Sequence, residues 1–228
     1  MKTFKYDTHV HTSEGSACAR TTGVEMVEAY RAKGYDGIII TDHFFNGNSP
    51  IPRDLPWEER IELFCKGYEN AKKRGDEIGL KVFFGWEYTY WGSDFLTYGL
   101  DKQWLKEHPE IMDIHIWEYA DLVHASGGFI VHAHPFRLYD YIKMLALIPN
   151  KVDAIETINA SNRQEENERA KWYAASYGLP VTAGSDSHNA NNLLGGGIIT
   201  DTEIKTISDY ADILKNGGII RLLDDEKR

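Results

Sequence analysis

Five short apolar segments of the sequence each end in side chains of the types that bind metal ions. These side chains belong to His9, His11, Asp42, His43, Glu87, His132, His134, Asp186 and His188. Packing explains one such histidine but not five clusters, because burying imidazoles and carboxylates without partners is costly. The carboxyl ends of parallel strands meet at one mouth of a βα barrel, where such barrels keep their chemistry. We therefore expect one polynuclear metal site, which indicates a hydrolase.

Three of these clusters contain two ligand-type residues that are two positions apart. The pairs are His9 with His11, His132 with His134, and Asp186 with His188. Side chains two apart on a strand face the same way, as two ligands of one cation must. Mixed imidazole and carboxylate ligands favour zinc, manganese or iron, whereas magnesium and calcium prefer oxygen ligands throughout. The spacing therefore predicts a metal site, and the mixture of ligand types predicts zinc, manganese or iron.

Strands and helices alternate along the chain that carries these clusters. Hydrophobic patterning and Gly or Pro breaks predict a first strand from about residue 3, then strands at 36–43, 81–87, 129–134, 152–159, 179–185 and 218–223. The predicted helices lie at 24–33, 57–79, 116–126, 139–148, 164–177 and 207–215. Residues 44–56 are predicted to form a loop, and residues 88–115 an irregular region with a short strand at 95–100.

This alternation predicts an α/β protein with a parallel sheet. About seven βα units favour a distorted (β/α)7 TIM-like barrel over an open doubly wound sheet. The length of 228 residues is ordinary for one such barrel, and no linker-like segment divides the chain. We expect residues 1–228 to form a single barrel domain.

The composition limits the partners and the compartment. A net charge of −10, from 35 acidic against 25 basic residues, argues against a protein that grips a nucleic-acid polymer by its surface. A phosphorylated substrate remains compatible, because bound divalent cations make a site locally positive. No apolar run is long enough to span a membrane, and the amino terminus lacks a signal-peptide pattern. Two cysteines offer no disulfide framework, so we expect a cytoplasmic protein.

Short motifs around the ligand-type residues resemble those of the PHP family, named for polymerase and histidinol phosphatase domains. The matching motifs are D-T-H-V-H-T at 7–12, T-D-H at 41–43, G-W-E at 85–87, A-H-P at 133–135 and G-S-D-S-H at 184–188. They follow the order that is typical of the family and span nearly the whole chain. The resemblance implies a distorted barrel of seven βα units with two or three divalent metal ions (Zn, Mn or Fe) at its mouth.

The resemblance also implies which residues hold each metal ion. The first ion would be bound by His9, His11, Glu87 and Asp186. Glu87 and His134 would reach a second ion. His43 and His188 would reach a third.

Two further ligands are expected from the family pattern. Members often carry an acid or histidine shortly after the first pair, for which Glu14 is the candidate and Cys18 the alternative. A histidine between the glutamate and the A-H-P strand is also common, and His132 has the best geometry because it is two positions from His134. The other histidines in that interval are His108, His115 and His124.

The expected function is a metal-dependent phosphoesterase for a small phosphorylated substrate. The substrate would be a phosphomonoester such as a nucleotide or histidinol phosphate, attacked by a metal-activated hydroxide. Asp186 is expected in the catalytic centre, and His188 or Asp42 could protonate the leaving group. Arg137 and Arg20 could each place two donors on a phosphate, although an exposed arginine paired with an acid is an equal alternative.

Three other functions compete with this hypothesis. A phosphodiesterase or exonuclease of the same family would use the same metal site. An amidohydrolase-like enzyme that cuts a C–N bond also begins with an H-x-H pair, but commonly bridges its metals with a lysine where this chain has Glu87. A non-catalytic binding module would usually have lost several of the ligands.

Overall fold

The computed structural model of the protein describes residues 2–140, 142 and 144–224, and within them nine strands form one barrel-shaped sheet. The strands are β1 (Phe4–Val10), β2 (Gly37–Ile40), β3 (Lys81–Tyr90), β4 (Ser93–Tyr98), β5 (Phe129–Ala133), β6 (Ala154–Asn159), β7 (Val181–Gly184), β8 (Gly197–Thr200) and β9 (Ile219–Leu223). Their order in the sheet is β7-β6-β5-β4-β3-β2-β1-β8-β9. The predicted α/β barrel is confirmed, with a strand count that differs slightly.

The sheet closes through the segment that follows β7. The main-chain N–H of Asp186 donates to the carbonyl oxygen of His9 at 2.9 Å, and that of His11 donates to Ser187 at 3.0 Å. The carboxyl-terminal half of β1 therefore lies between β2 and this segment, whereas its amino-terminal half pairs with β8. This closure brings the ends of β1 and β7, which are far apart in the sheet order, to one mouth.

The prediction of a wholly parallel sheet is wrong at two strands, β4 and β8. β4 runs antiparallel to both β3 and β5, while β8 runs antiparallel to β1 and β9. Only Trp91 and Gly92 connect β3 to β4. A two-residue connection forms a hairpin, whereas parallel neighbours need a crossover of a dozen or more residues. The short strand predicted at 95–100 is this antiparallel member of the barrel.

Seven α-helices occur in the described part of the chain. They are α1 (Gly23–Ala32), α2 (Trp57–Phe64), α3 (Lys66–Ile78), α4 (Lys102–Glu107), α5 (Ile116–Ala125), α6 (Gln164–Tyr177) and α7 (Ile207–Asn216). Thr22 begins α1 with a capping box, in which its side chain accepts from the N–H of Glu25 and the Glu25 side chain accepts in return. None of the described helices is long and apolar enough to cross a membrane.

The structure corrects two predicted helices. The helix expected at 57–79 is interrupted at Cys65 and forms α2 and α3 instead. Near the start of α3, Gly67 lies so close to Thr12 that a Cβ added to it would be 2.0 Å from the Thr12 hydroxyl oxygen. The break thus accompanies a close approach of α3 to the loop that follows β1. No helix occurs at the described positions of 139–148, where the main chain of Met144 and Ala146 bonds the Ser93 hydroxyl instead. Positions 141 and 143 of this prediction lie outside the described residues.

The barrel interior below the mouth is apolar. Strand side chains such as Tyr6, Ile39, Phe83 and Val131 pack there with residues of α7. Two further clusters lie between the sheet and the other helices, one beneath α1 and α3 and one beneath α2, α5 and α6. Burial of these three clusters holds the strand ends in place by the hydrophobic effect.

Candidate metal centre

An irregularity in β1 turns its two histidines toward the mouth. Tyr6 packs in the interior cluster, but Val10, four residues later, packs in the cluster beneath α1 and α3. On a regular strand these two side chains would share a face. The pairing of β1 with β2 shifts register between Asp7 and Val10. The shift reverses the alternation, so that His9 and His11 both lie on the barrel side.

Hydrogen bonds determine which nitrogen of each ring faces the other. His9 Nδ1 lies 2.9 Å from Glu156 Oε1, and an ionised carboxylate only accepts, so Nδ1 carries the proton. His11 Nδ1 lies 3.0 Å from Ser16 Oγ, whose own proton goes to Asp42 Oδ1 at 2.7 Å. Both Nε2 atoms are therefore unprotonated in the neutral rings, yet they lie 3.0 Å apart. Two facing lone pairs at this distance require a proton or a cation between them.

The charges around the two rings differ. Burial lowers the pKa of His9, but the carboxylates of Glu156, Asp186 and Glu87 outweigh it and raise this pKa well above its ordinary value. Burial, together with the nearby rings of His188 and His43, holds the pKa of His11 well below its ordinary value. The surroundings therefore favour the charged form of His9 and the neutral form of His11.

Glu87 lies at the centre of the cluster. Its Oε1 accepts from His134 Nε2 at 3.0 Å and lies 3.4 Å from His9 Nε2. Its Oε2 lies 2.7 Å from His43 Nδ1 and 3.5 Å from His11 Nε2. Burial would raise the pKa of Glu87, but the imidazoles of His43 and His9 lower it well below its usual range. Glu87 Oε2 and His43 Nδ1 are buried without a well-aligned hydrogen bond to any described residue, as ligand atoms without their ion would be.

Asp186 approaches the same atoms from the segment after β7. Its Oδ1 lies 3.1 Å from His11 Nε2 and 3.6 Å from His9 Nε2, while its Oδ2 lies 2.6 Å from Arg137 Nη2. Burial opposes ionisation of Asp186, but the guanidinium of Arg137 holds the pKa of this carboxyl well below its usual range. Asp186 also has a φ of 58°, in the left-handed region that non-glycine residues rarely adopt. Strain of this kind is typical of functional sites.

The two histidines of β5 point in different directions. His132 stacks on Phe95, with ring centroids 4.6 Å apart, and meets Tyr173 edge-on at 6.1 Å. Neither of its ring nitrogens has a hydrogen-bond partner among the described residues, and burial lowers its pKa to about 3. His134 follows the end of β5 with a φ of 28°, which breaks the strand alternation and turns its ring to Glu87. The expectation that both histidines face the cluster is thus corrected for His132.

Glu14 is not brought to the cluster. Its carboxylate accepts from the N–H of Gly23, at 3.1 Å, and from the Asn70 side chain, at 3.3 Å. Gly23 is the first residue of α1, where the helix dipole favours a negative charge. The loop after β1 therefore turns Glu14 toward the helix start and away from the barrel mouth.

Cys18, the alternative to Glu14, lies beside His43 and His188 instead. Burial raises the pKa of the Cys18 thiol, but hydrogen bonds with these two histidines outweigh it and lower this pKa to about 6. The rings of His43 and His188 in turn lie 4.5 Å and 4.1 Å from the ring of His11. A thiolate is a good ligand for zinc and iron.

Asp42 and Arg20 also lie outside the cluster. Asp42 accepts from the Thr12 N–H and hydroxyl, both at 2.6 Å, and from Ser16. Burial raises the pKa of Asp42 to about 6, and the carboxylate lies behind His11, so it orients this ring through Ser16 rather than facing a substrate. Arg20 is exposed; its N–H donates to the carbonyl oxygen of His188, and it is not part of the described cavity lining.

Two buried acids were missed by the sequence reasoning. Glu156 on β6 fixes the His9 ring and also accepts from the His134 N–H at 3.0 Å. Asp94 on β4 accepts from Thr89 Oγ1 at 2.6 Å, and burial raises its pKa to about 6. The available signal was an acid inside the predicted strand at 152–159 and another directly before the one at 95–100, since unpaired acids are rarely buried.

A cavity of about 580 Å³ opens above the cluster. It is lined by Cys18, His43, Asn46, Gly47, Asn48, Thr89, Gly92, Asp94, Arg137, Tyr139, Asp186 and His188. This volume is in the range of small-molecule sites.

Arg137 is held rigidly in the wall of this cavity. Its Nε donates to Asn162 at 2.8 Å, and its Nη2 donates to Asn159 at 3.0 Å and to Asp186. Within the described residues, Nη1 has no hydrogen-bond partner. A buried guanidinium held in this way can offer its remaining donors to a phosphate.

Three groups of ligand atoms could each hold a metal ion, and the atoms of each group lie within 4.8 Å of one another. They are His9, His11 and Asp186; His9, Glu87 and His134; and His11, His43 and His188. A barrel whose mouth gathers imidazoles and carboxylates beneath an open cavity is typical of metal-dependent hydrolases.

Comparison with known proteins shows which metal-dependent hydrolases the chain is similar to. A family model described as PHP-associated matches residues 164–217, from the start of α6 to the end of α7. No protein in the curated set matches the chain. The resemblance to the PHP family thus has independent support over the carboxyl-terminal part of the chain.

Solved structures extend the similarity to the whole barrel. A two-domain protein of Bacteroides vulgatus that contains a predicted PHP-like metal-dependent phosphoesterase superposes with a TM-score of 0.72 at 15% identity, over 99% of this chain and 66% of that one. A proposed metal-dependent phosphoesterase of Bifidobacterium adolescentis gives 0.56 at 18% identity, over 93% and 96%. A lesion-specific endonuclease of Pyrococcus furiosus gives 0.64 at 14% identity, over 98% and 59%.

Because the sequence identities are low, the superpositions demonstrate a shared fold and nothing more. The chain spans just under two thirds of the Bacteroides protein and less of the endonuclease. Together with the ordered motifs and the family-model match, the shared barrel confirms the resemblance to PHP proteins.

Proposed function

We propose that the protein is a metal-dependent phosphoesterase that hydrolyses a small phosphomonoester. The observation that carries this proposal is the 3.0 Å contact between the Nε2 atoms of His9 and His11. In the neutral rings, the partners of the Nδ1 atoms leave both of these Nε2 atoms without a proton. Glu87 and Asp186 add carboxylate oxygens within 3.6 Å of them. Two imidazole nitrogens and two carboxylates this close together attract divalent cations strongly.

The proposed ligands follow from the three groups of donor atoms. Glu87 lies in the group with His134 and next to the group with His43, because one of its oxygens is near His134 and the other is near His43. Two or three ions of zinc, manganese or iron fit this mixture of nitrogen and oxygen donors. We add Cys18 to the group of His43 and His188, and leave out Glu14 and His132.

Bound divalent ions would lower the pKa of a water molecule and offset negative charge on the phosphoryl oxygens. The side chains of the protein then bind and orient the substrate. Arg137 Nη1 can donate to a phosphoryl oxygen while Asn162 and Asn159 hold the guanidinium in place. His188 Nδ1 donates to the carbonyl oxygen of Asp186 at 2.8 Å, which leaves Nε2 as a ligand atom.

The substrate is proposed to be a small monoester, such as a nucleotide. The cavity of about 580 Å³ fits one small molecule, and the net charge of −10 disfavours a nucleic-acid polymer. We also propose that residues 1–228 form one domain, since all nine described strands belong to one sheet.

Release of inorganic phosphate from a panel of phosphomonoesters with added Mn²⁺ tests the function. Asp186→Asn should reduce the rate by at least about 1,000-fold, because it removes a ligand charge next to both histidines. Asp201→Asn, on an exposed residue, is the matched control and should keep the wild-type rate. Full activity in a chelator would contradict the proposal.

The same panel distinguishes the alternatives. Cleavage of a bis-ester or of single-stranded DNA without monoester cleavage would identify a phosphodiesterase, the activity class of the Pyrococcus endonuclease. Metal binding with no phosphorus chemistry would favour C–N bond hydrolysis. Purified protein that takes up no metal would point to a binding module.

A further inference from the structure

A groove lined by aromatic side chains continues from the cavity of the metal centre. The groove has a volume of about 480 Å³ and shares Asn46 and Thr89 with the cavity. The rest of its lining is Tyr88, Tyr90, Trp91, Met112, Asp113, Ile114 and His115. A molecule whose phosphate lies at the metal centre can therefore extend past Asn46 and Thr89 into this groove.

Trp91 occupies a position in the groove that the fold does not favour for tryptophan. Trp91 and Gly92 form the two-residue turn between β3 and β4, with φ angles of 54° and 94°. Turns with two positive φ angles prefer Asn-Gly, and a bulky residue in this conformation is strained. The Trp91 side chain is also 61% exposed, so burial does not offset that strain. The indole is therefore better explained by what it can contact than by stability.

Neighbouring rings make a platform with Trp91. The Tyr90 ring lies 6.4 Å from the Trp91 ring at 80° and 5.2 Å from the His115 ring at 68°. Exposed aromatic faces at such a corner can stack a planar ring, an interaction that does not depend on which ring it is. The Asn46 amide and the Asp113 carboxylate supply hydrogen-bonding groups along the same wall.

The charge of the groove limits what it can hold. None of the described residues that line it is Lys or Arg, and Asp113 adds a negative charge. A second phosphate, or the backbone of a nucleic-acid strand, would lie against this carboxylate without a cation to offset the repulsion. An uncharged aromatic ring fits the same walls.

We infer that the groove is the subsite for an aromatic leaving group, with Trp91 and Tyr90 as the residues that determine specificity. The substrate is then a phosphomonoester of a nucleoside or of a phenol. This inference rests on the proposed function, because it assigns the phosphate end of the substrate to the metal centre.

Steady-state kinetics with Mn²⁺ test the subsite on AMP, phenyl phosphate and glycerol 2-phosphate. Trp91→Ala should raise KM about tenfold for the two aromatic esters, since stacking contributes about this factor, and leave glycerol 2-phosphate unchanged. Trp172→Ala, on an indole that is 69% exposed on α6, is the matched control and should change nothing. A larger effect on AMP would identify a nucleoside, and a larger effect on phenyl phosphate a phenol. Equal changes for all three substrates, or none, would overturn the inference.

Binding without turnover separates this inference from the proposed function. Binding of AMP and phenyl phosphate to the chelated protein is measured by titration calorimetry, which does not need Trp91 as a reporter. The wild type and Trp172→Ala should bind about tenfold more tightly than Trp91→Ala. If no ester is hydrolysed but this difference is found, the function fails and the subsite stands. Equal affinity of the variants would refute the subsite, whatever the catalytic result.

Two more variants exclude a purely structural role for Trp91. Trp91→Asn places the preferred residue in this turn, so its urea midpoint should equal or exceed that of the wild type although AMP binding is weakened. Trp91→Tyr should keep most of the binding. A loss of stability in Trp91→Asn that parallels the loss of binding would show that the indole supports the turn, and would overturn the inference.

Discussion

The ends of β1 and β5 carry the same sequence pattern but use it differently. His9 and His11 both reach the cluster, because a register shift in β1 returns both to the barrel side. On β5 only His134 reaches it, because its positive φ turns it away from the direction of His132. A spacing of two thus predicts a shared face only while the strand stays regular. The ends of β1 and β5, at the barrel mouth, are both irregular.

Exchange of His134 is the strongest way to test this difference. His134→Gln should lower kcat/KM by about 1,000-fold and reduce the amount of bound metal, because the residue supplies a donor next to Glu87. His132→Phe on the same strand should leave kcat/KM within about threefold of the wild type. Phosphate release and metal content measured on both proteins decide the point. Equal losses in the two variants would contradict the different placement of the two rings.

Glu156→Gln tests the support that β1 receives from β6. The carboxylate keeps the His9 proton on Nδ1, whereas an amide can flip and accept or donate. We expect metal affinity to fall about 10- to 100-fold, as is usual for loss of a group that orients a ligand. Competition with a fluorescent chelator measures this change. Glu165→Gln, an exposed residue on α6, is the matched control and should bind metal normally.

The pH dependence of stability should distinguish His132 from the ligand histidines. Burial lowers the pKa of His132 to about 3, so the folded state binds fewer protons than the unfolded state between pH 6.5 and 3. Burial of His132 therefore does not reduce the free energy of unfolding above pH 6.5. The reduction begins below that pH and grows as the pH falls. At pH 5 the cost should be about 2 kcal/mol relative to pH 7.5, and His132→Phe should remove it.

Urea unfolding of both proteins in a chelator, at pH 7.5 and at pH 5, measures this difference. The chelator removes the separate effect of metal loss in acid. At pH 7.5 the variant should already be at least as stable as the wild type, because the buried ring nitrogens of His132 lack hydrogen-bond partners among the described residues. A wild type that loses no more stability in acid than the variant would contradict the buried, neutral state of His132.

The smallest expected effect is that of Glu14, which follows the same strand as His9 and His11. Glu14→Gln should lower the free energy of unfolding by about 0.5–1 kcal/mol, because a charge at the start of α1 is lost. Activity and metal content should stay at the wild-type level. A loss of metal from this variant would return Glu14 to the ligand set.

Much of the candidate site could be predicted from local sequence. The apolar segments before His43 and Glu87 are strands β2 and β3, and both residues lie at the mouth as expected. The prediction for His43 depends only on hydrophobic patterning and on where β2 stops, whereas β3 continues past Glu87 to Tyr90. The strand β4 was expected at about 95–100, but its antiparallel direction was not, because alternation of strands and helices does not describe a two-residue hairpin.

The sequence alone determined the kind of chemistry, because residue types and their positions after apolar segments are properties of the chain. Tertiary structure decided which of these residues meet. Glu156 lies 147 positions from His9, and their contact exists only because the barrel closes. Closure likewise placed Asp186 against β1, and local turns separated His134 from His132 and Glu14 from the mouth. Backbone dihedrals and long-range pairing set these contacts, and neither can be derived from spacing along the chain.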